Sequence, residues 1–193
     1  MRRSIAFLPL LLALLLSPCV LARPDAAVRA RVIAVIDGDT LLLKPLDTGE
    51  TDPRFYKLRL ADIDAPEKDQ PFGQEAGQEL AKLVLHQHIR VVTVATDHYG
   101  RRIGWVSLTR PALADIDVNA ELVQRGWAWA TRYNRHSLLP TAQQDARRAR
   151  RGLWAADHPV PPWLWRKQAA LHGLGSETNP ASASTPLPAL LRD

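Results

Sequence analysis

Three short segments of the chain hold the residue types from which a reaction could be built. Val35-Ile36-Asp37-Gly38-Asp39-Thr40 sets two carboxylates around a glycine. Arg59-Leu60-Ala61-Asp62-Ile63-Asp64-Ala65-Pro66-Glu67 brings together one guanidinium, three carboxylates and a proline. Asp97-His98-Tyr99-Gly100-Arg101 is a turn sequence that carries an arginine. Carboxylate oxygens suit a hard cation. Arginine suits a phosphate, because its planar fork bonds two oxygens at once and stays charged at any relevant pH. Taken singly, each segment has an ordinary reading: Asp and Gly make turns, and acids near an arginine make surface ion pairs. Their joint occurrence in one order is what carries weight.

The elements that position these segments follow from periodicity. Val28, Ala30, Val32, Ala34 and Ile36 alternate with Arg29 and Arg31, and a second apolar run, Thr40 to Lys44, follows the Asp-Gly-Asp turn, which predicts a hairpin. A polar loop from Asp47 to Pro53 leads to a third strand, with Tyr56, Leu58 and Leu60 on one face and Lys57 and Arg59 on the other, so that Arg59 need not be buried. Phe72, Ala76, Leu80, Leu83 and Val84 fall at helical spacing and predict a helix from Phe72 to His86. Strands Ile89 to Ala95 and Arg102 to Leu108 follow, joined by the third segment. Two more helices, Val118 to Arg125 and Pro140 to Arg151, stop at Gly126 and Gly152. Five short strands with a helix between the third and fourth predict an α+β, mainly β fold: a five-stranded Greek-key OB-fold barrel with three packed helices.

Composition bounds what this fold could do. The 193 residues are 46% hydrophobic and 23% charged, enough apolar material for a real core. Residues 1–22 read as a signal peptide, with Arg2 and Arg3 before an apolar stretch and small residues ending at Ala22. A folded OB-fold domain is expected over 23–172, and the Ser-, Pro-, Ala- and Thr-rich 173–193 reads as a disordered tail. Loss of Arg2 and Arg3 lowers the net charge from +5 to +3, which still permits a polyanionic partner. The single cysteine, Cys19, leaves with the leader, so thiolate-held zinc, a cysteine nucleophile and disulfides are excluded. The histidines at 86, 88, 98, 136, 158 and 172 are scattered and read as surface residues.

With these segments in this order, the chain resembles the staphylococcal nuclease-like, or thermonuclease, family. The likeness runs from about Arg31 to Trp154 and includes Asp117-Val118-Asn119-Ala120-Glu121-Leu122-Val123 and Gly152-Leu153-Trp154. The resemblance implies a secreted, Ca²⁺-dependent nuclease that hydrolyses phosphodiesters of DNA and RNA and leaves 3′-phosphate ends. It further implies that Asp39 and Asp64 ligate calcium, that the Ala65 backbone carbonyl is a third ligand, and that Asp37 supports the ion through water. Glu67 is then the general base, and Arg59 and Arg101 grip the phosphate. Tyr99 and Tyr133 are weaker candidates for substrate contact.

Some positions depart from the family pattern. Asp62 stands where relatives often have a small or apolar residue and reads as a solvated charge. His98 replaces a lysine of the reference enzyme. Trp127-Ala128-Trp129 blurs an expected tyrosine-rich wall and reads as core. Arg147, Arg148, Arg150 and Arg151 read as a solvated helix face, and Pro159 to Trp165 as a segment packed back on the domain. The rival readings are a non-catalytic OB-fold nucleic-acid-binding module and a calcium-stabilised adhesion domain. The first needs drifted catalytic positions, and the second has no use for Arg59 and Arg101. The resemblance implies DNA and RNA as substrates, no stable protein partner, no membrane span after signal removal and a monomer, exported to the periplasm or the medium. Intact-mass analysis of exported protein should find an N-terminus at Arg23; retained Met1 or a lipid on Cys19 would refute cleavage after Ala22.

Overall fold

The computed structural model describes residues 27–46, 54–132 and 134–176, with backbone alone for 172–176. The leader 1–22, the loop Asp47–Pro53 and Tyr133 lie outside the described residues. In chain order the elements are β1 (Val28–Asp37), β2 (Thr40–Pro45), β3 (Tyr56–Leu60), β4 (Ile63–Asp64), α1 (Gly73–Val84), β5 (His88–Thr96), β6 (Arg102–Leu108), β7 (Ile116–Asp117), α2 (Val118–Gln124), β8 (Trp129–Ala130), α3 (Leu139–Arg148) and α4 (Pro162–Ser176), with a single 3₁₀ turn at Gly152–Ala155.

Antiparallel pairing runs β3-β2-β1-β5-β6, and β6 then meets β3 in parallel at Leu58↔Arg102 and Leu60↔Gly104. That last pairing closes a five-stranded barrel, which removes the exposed edges an open sheet would have. Every predicted strand and each of the three predicted helices is present. The two-residue strands β4, β7 and β8 are too short to leave a periodic signal. They matter nonetheless, because β4 pairs with β8 at Asp64↔Trp129. Helix α4 continues to Ser176, past the Gly173 boundary expected for the tail. Among the described residues no helix is long and apolar enough to cross a membrane.

The barrel interior takes the alternate apolar side chains that the period-2 pattern offers. Val32, Leu41, Leu43, Leu58, Leu60, Ile89 and Val106 are buried there, and α1 and α2 add Leu80, Val84 and Leu122. One polar residue belongs to this core. Asn119 is fully buried on α2, donates from Nδ2 to the Ala61 carbonyl at 2.8 Å, and accepts the Val106 N–H at 3.0 Å. It thereby ties the helix to β6 and to the β3–β4 turn that leads to Asp64. Asn119→Ala would strand a buried backbone donor and acceptor, so urea denaturation should show a loss of about 1–3 kcal/mol for each group left unpaired. An unchanged midpoint would show that this tie contributes nothing.

Candidate active site

The β2–β3 register places Arg59 opposite Thr40, next to the turn that carries Asp39. The Asp37-Gly38-Asp39 turn lies close against the start of α1. A Cβ on Gly38 would stand 2.7 Å from the Ala65 Cβ and 2.9 Å from the Ala76 Cβ, so only glycine lets the turn approach this far. Asp37 stabilises the turn by accepting the Asp39 N–H at 3.0 Å. After β3, the backbone turns at Asp62, whose φ is +64°, a left-handed conformation that Asp tolerates better than most residues. Ile63 then faces the core and Asp64 faces the turn.

These three elements converge on one guanidinium. Arg59 donates from Nη1 to Asp39 Oδ1 at 2.8 Å and from Nη2 to Asp64 Oδ1 at 2.6 Å. Asp39 and Asp64 are 3% and 4% exposed, and the Arg59 side chain is 23% exposed. Arg59 is therefore far less exposed than its outward position on the strand suggested. Asp39 Oδ1 also accepts from the Thr40 hydroxyl, and Oδ2 accepts the Ala65 N–H at 3.0 Å. Burial pushes the Asp39 carboxyl up to about 7; Arg59 opposes that rise, and the charges of Asp37 and Asp64 add to it. Desolvation works against the Arg59 charge, but Asp39 and Asp64 outweigh it and raise its pKa.

Glu67 is held by a tight loop. Its carbonyl accepts the Gln70 N–H at 3.0 Å, and its N–H donates to Gln70 Oε1 at 3.1 Å. A Cβ on Gly73 would fall 1.7 Å from the Glu67 carbonyl oxygen, so α1 can begin this close only with glycine there. A cavity of about 430 Å³ has Asp37, Asp39, Arg59, Glu67, Tyr99 and Arg101 in its wall. Of the predicted site residues, Asp37, Asp39, Arg59, Ala65, Glu67, Tyr99 and Arg101 thus share one cavity, Asp64 joins them through Arg59 and Tyr133 lies outside the described residues, but the two arginines are held differently. Arg101 sits on the β5–β6 turn, where its Nε donates to Asp97 Oδ2 at 2.7 Å and its guanidinium lies 5.5 Å from the Tyr99 ring centre. Desolvation opposes it, yet the bonds from Arg101 and the Tyr99 N–H together outweigh it and hold the Asp97 carboxyl below its ordinary value. A larger groove of about 700 Å³ between β1 and α1 shares Asp37 but is walled mainly by apolar residues such as Ile33, Val35, Ala81 and Leu85.

Several side chains have roles that their sequence context did not reveal. Asp62 is neither a solvated charge nor aimed at the cavity: it accepts from Trp105 Nε1 at 3.1 Å and from the Arg135 N–H at 3.0 Å. Arg166, on α4, also lines the cavity and donates to both Asp64 and Glu67. Gln70, besides holding Glu67, donates from Nε2 to the Val160 carbonyl and so fastens the approach to α4. The only sequence signal for this was the expectation that Pro159 to Trp165 folds back. Trp129 is 3% exposed against Trp154 and Trp163, which makes it core rather than a stacking platform. On the basic helix and beyond, Arg147 lies over Trp154, Arg150 pairs with Asp157, and Arg151 bonds the Gln124 carbonyl, so these cations serve local contacts. His98 is exposed and stacks on Tyr99.

The barrel and its charged cavity define a class, and comparison with known proteins agrees. Residues 57–156 match the family described as Staphylococcal nuclease homologue. The chain is 40% identical to Protein ParB of Escherichia coli over 177 residues, covering 87% of this chain and 95% of that one. It is 37% identical to an uncharacterized endonuclease of Escherichia coli O157:H7, over 73% of this chain and 86% of that one. It is 36% identical to the micrococcal nuclease of Shigella flexneri, over 72% of this chain and 80% of that one. The chain belongs to the staphylococcal nuclease homologue family. Its class is that of an endonuclease, a phosphodiester hydrolase with nucleic-acid substrates.

The raised Asp39 pKa has a testable sign. Between its ordinary 3.8 and about 7 the folded chain holds a proton that the unfolded chain has released, so this group's contribution to stability falls as pH rises through that window. In chelator, the urea midpoint of Asp39→Asn should therefore gain on wild type between about pH 4 and about pH 8. A difference that stays constant across that range would contradict a raised Asp39.

Proposed function

We propose that the chain is an exported, Ca²⁺-dependent nuclease that cleaves the phosphodiesters of DNA and RNA to 3′-phosphate ends. The observation that carries this reading is Arg59 held between the buried Asp39 and Asp64, in one cavity wall with Glu67 and Arg101.

The donor set fits a hard cation. Asp39 and Asp64 present carboxylate oxygens, and the Ala65 carbonyl and Asp37, acting through water, are of the same kind. Among the described residues no three His, Cys, Asp or Glu side chains converge as a metal cage. A cation here would rest on two carboxylates, backbone and water, an irregular and partly hydrated arrangement that Ca²⁺ accepts more readily than Mg²⁺. When bound, it would supply positive charge to the phosphoryl oxygens.

The chain's own residues divide the remaining work. Arg59 spends one N–H from each Nη on the carboxylates and has further donors for a phosphate oxygen. Arg101, which lines the cavity, commits Nε to Asp97 and keeps its Nη donors for a phosphate. Both stabilise the negative charge that develops as water adds to phosphorus. Glu67 takes the proton of that water. The P–O5′ bond breaks, and because arginine holds its protons too tightly, water supplies the proton to the leaving oxygen. Tyr99 offers its hydroxyl to a neighbouring phosphate at the cavity mouth, and Tyr133, beyond the described residues, is a second candidate. Export is supported by the charged and apolar pattern of residues 1–22. A single chain contains every group used, so a monomer suffices.

Plasmid and single-stranded DNA, each incubated with Ca²⁺, Mg²⁺ or chelator, provide the test. Cleavage should require Ca²⁺, fall strongly with Mg²⁺ and stop in chelator. Glu67→Gln should lower the rate by about 10²- to 10⁴-fold with little change in affinity. Arg59→Lys and Arg101→Lys should each slow cleavage, non-additively, because both act on one phosphoryl group. Full activity in chelator would remove the cation from the mechanism. Lys variants that cleave at the wild-type rate and melt normally would remove the two arginine forks from the mechanism, and a folded wild type that binds DNA without cleaving it would favour the binding-module reading.

A further inference from the structure

Helix α4 delivers a third guanidinium to the cavity. Arg166 donates from Nη2 to Asp64 Oδ2 at 2.8 Å, from Nη1 to Asp64 Oδ1 at 3.2 Å, and from Nη1 to Glu67 Oε1 at 2.6 Å. With Arg59 already on Oδ1, both oxygens of Asp64 are occupied by guanidinium groups. A cation that takes Asp64 must share or displace Arg166. Displacement costs less than breaking a fully buried pair, because Asp64 is buried but the Arg166 side chain is 46% exposed and regains water when it leaves.

The position of Arg166 is built rather than incidental. Gln70, the residue that holds Glu67, fastens the Val160 carbonyl just before α4. Trp163 packs edge-on at 6.5 Å against Trp129, whose strand pairs with the one bearing Asp64. Both anchors stay in place when the Arg166 side chain swings, so a released guanidinium remains at the rim of a cavity that already contains Arg59 and Arg101. Off Asp64, it keeps only the exposed Glu67 carboxylate as a partner, and its fork matches a phosphate.

We propose that Arg166 is a phosphate-binding residue of this nuclease: it rests on Asp64 and Glu67 until a cation takes Asp64, and then binds a nucleic-acid phosphate next to the scissile one. This rests on the reading of the site as a cation-dependent nuclease. It assigns helix α4 to recognition of a chain with several phosphates, in distinction to a lone phosphodiester.

Full-length wild type, Arg166→Ala and Arg166→Lys decide the matter by two measurements. The first is calorimetric titration with Ca²⁺ in the absence of nucleic acid. Arg166→Ala should bind Ca²⁺ about 3- to 10-fold more tightly, since a half-exposed competitor is gone. The second compares kcat/KM for a dinucleoside monophosphate, which has only the scissile phosphate, with that for a longer single-stranded oligodeoxynucleotide. Arg166→Ala should lose about 10-fold more on the longer substrate, and the dependence of log KM on log salt should flatten by about 0.7. Arg166→Lys, which keeps the charge without the fork, should fall between, and thermal melts show that each variant is folded. Unchanged Ca²⁺ affinity would overturn the resting contact. Equal effects on both substrates, in either direction, would overturn the phosphate contact and make Arg166 a plug or a support for Glu67. If wild type binds Ca²⁺ but cleaves neither substrate, the nuclease mechanism fails, while the calorimetric comparison still decides whether Arg166 competes with the cation.

Discussion

The bridge from Arg59 to Asp39 and Asp64 is the constraint on which the rest of the structure depends. Two carboxylates so fully withdrawn from water, and close enough to share one guanidinium, would repel each other and resist ionisation without it. Removing one partner from such a buried arrangement typically costs about 3–5 kcal/mol, because the survivor keeps its desolvation penalty and loses its counter-charge. The barrel is arranged to deliver this bridge. The β2–β3 register brings Arg59 beside Asp39, Gly38 lets the first turn settle on Ala65, and the left-handed Asp62 turns the chain so that Asp64 meets Arg59 from the other side.

The same bridge gives the cavity its chemical character. Its acids outnumber what Arg59 alone can neutralise, and burial, with the neighbouring charges of Asp37 and Asp64 added, makes Asp39 reluctant to ionise. That residual negative charge is what attracts a cation, whether the guanidinium of Arg166 or a metal ion. Arg101 stands apart on a turn with its own acid, Asp97, so it can meet a phosphate without disturbing the carboxylates. One arginine builds the site, and the other lines the same cavity from a separate turn.

The sequence made much of this legible. Alternating residues over 28–32 and 56–60 marked the strands, because one face of each is buried in the barrel, whereas the expected continuation to Ile36 fails: the bulge after Val32 shifts the register and puts Val35, not Ala34 or Ile36, against the core. The clustering of Asp37, Asp39, Arg59, Asp64, Glu67 and Arg101 in three segments marked the cavity. What stayed hidden depended on contacts between distant parts of the chain. Arg166 lies 102 positions from Asp64 and Gln70 lies 90 from Val160, so no local spacing could pair them. Asp62 misled because charge in a loop ordinarily points to water, whereas here the Trp105 indole and the Arg135 amide turn it inward. The depth of Arg59 was also unreadable: an outward strand position is exposed only if nothing covers it, and here Asp39 and Asp64 converge on its guanidinium from two other segments.

The central claim, that Asp39 and Asp64 form a cation site bridged by Arg59, is tested most directly by calorimetry with Ca²⁺ on the full chain. Wild type should bind a single ion per chain, and Asp64→Asn, which keeps the side-chain shape and its bond to Arg59 but removes the charge, should bind none while melting cooperatively. Binding that persists undiminished in Asp64→Asn, or is absent from a wild type that still cleaves DNA, would contradict the account.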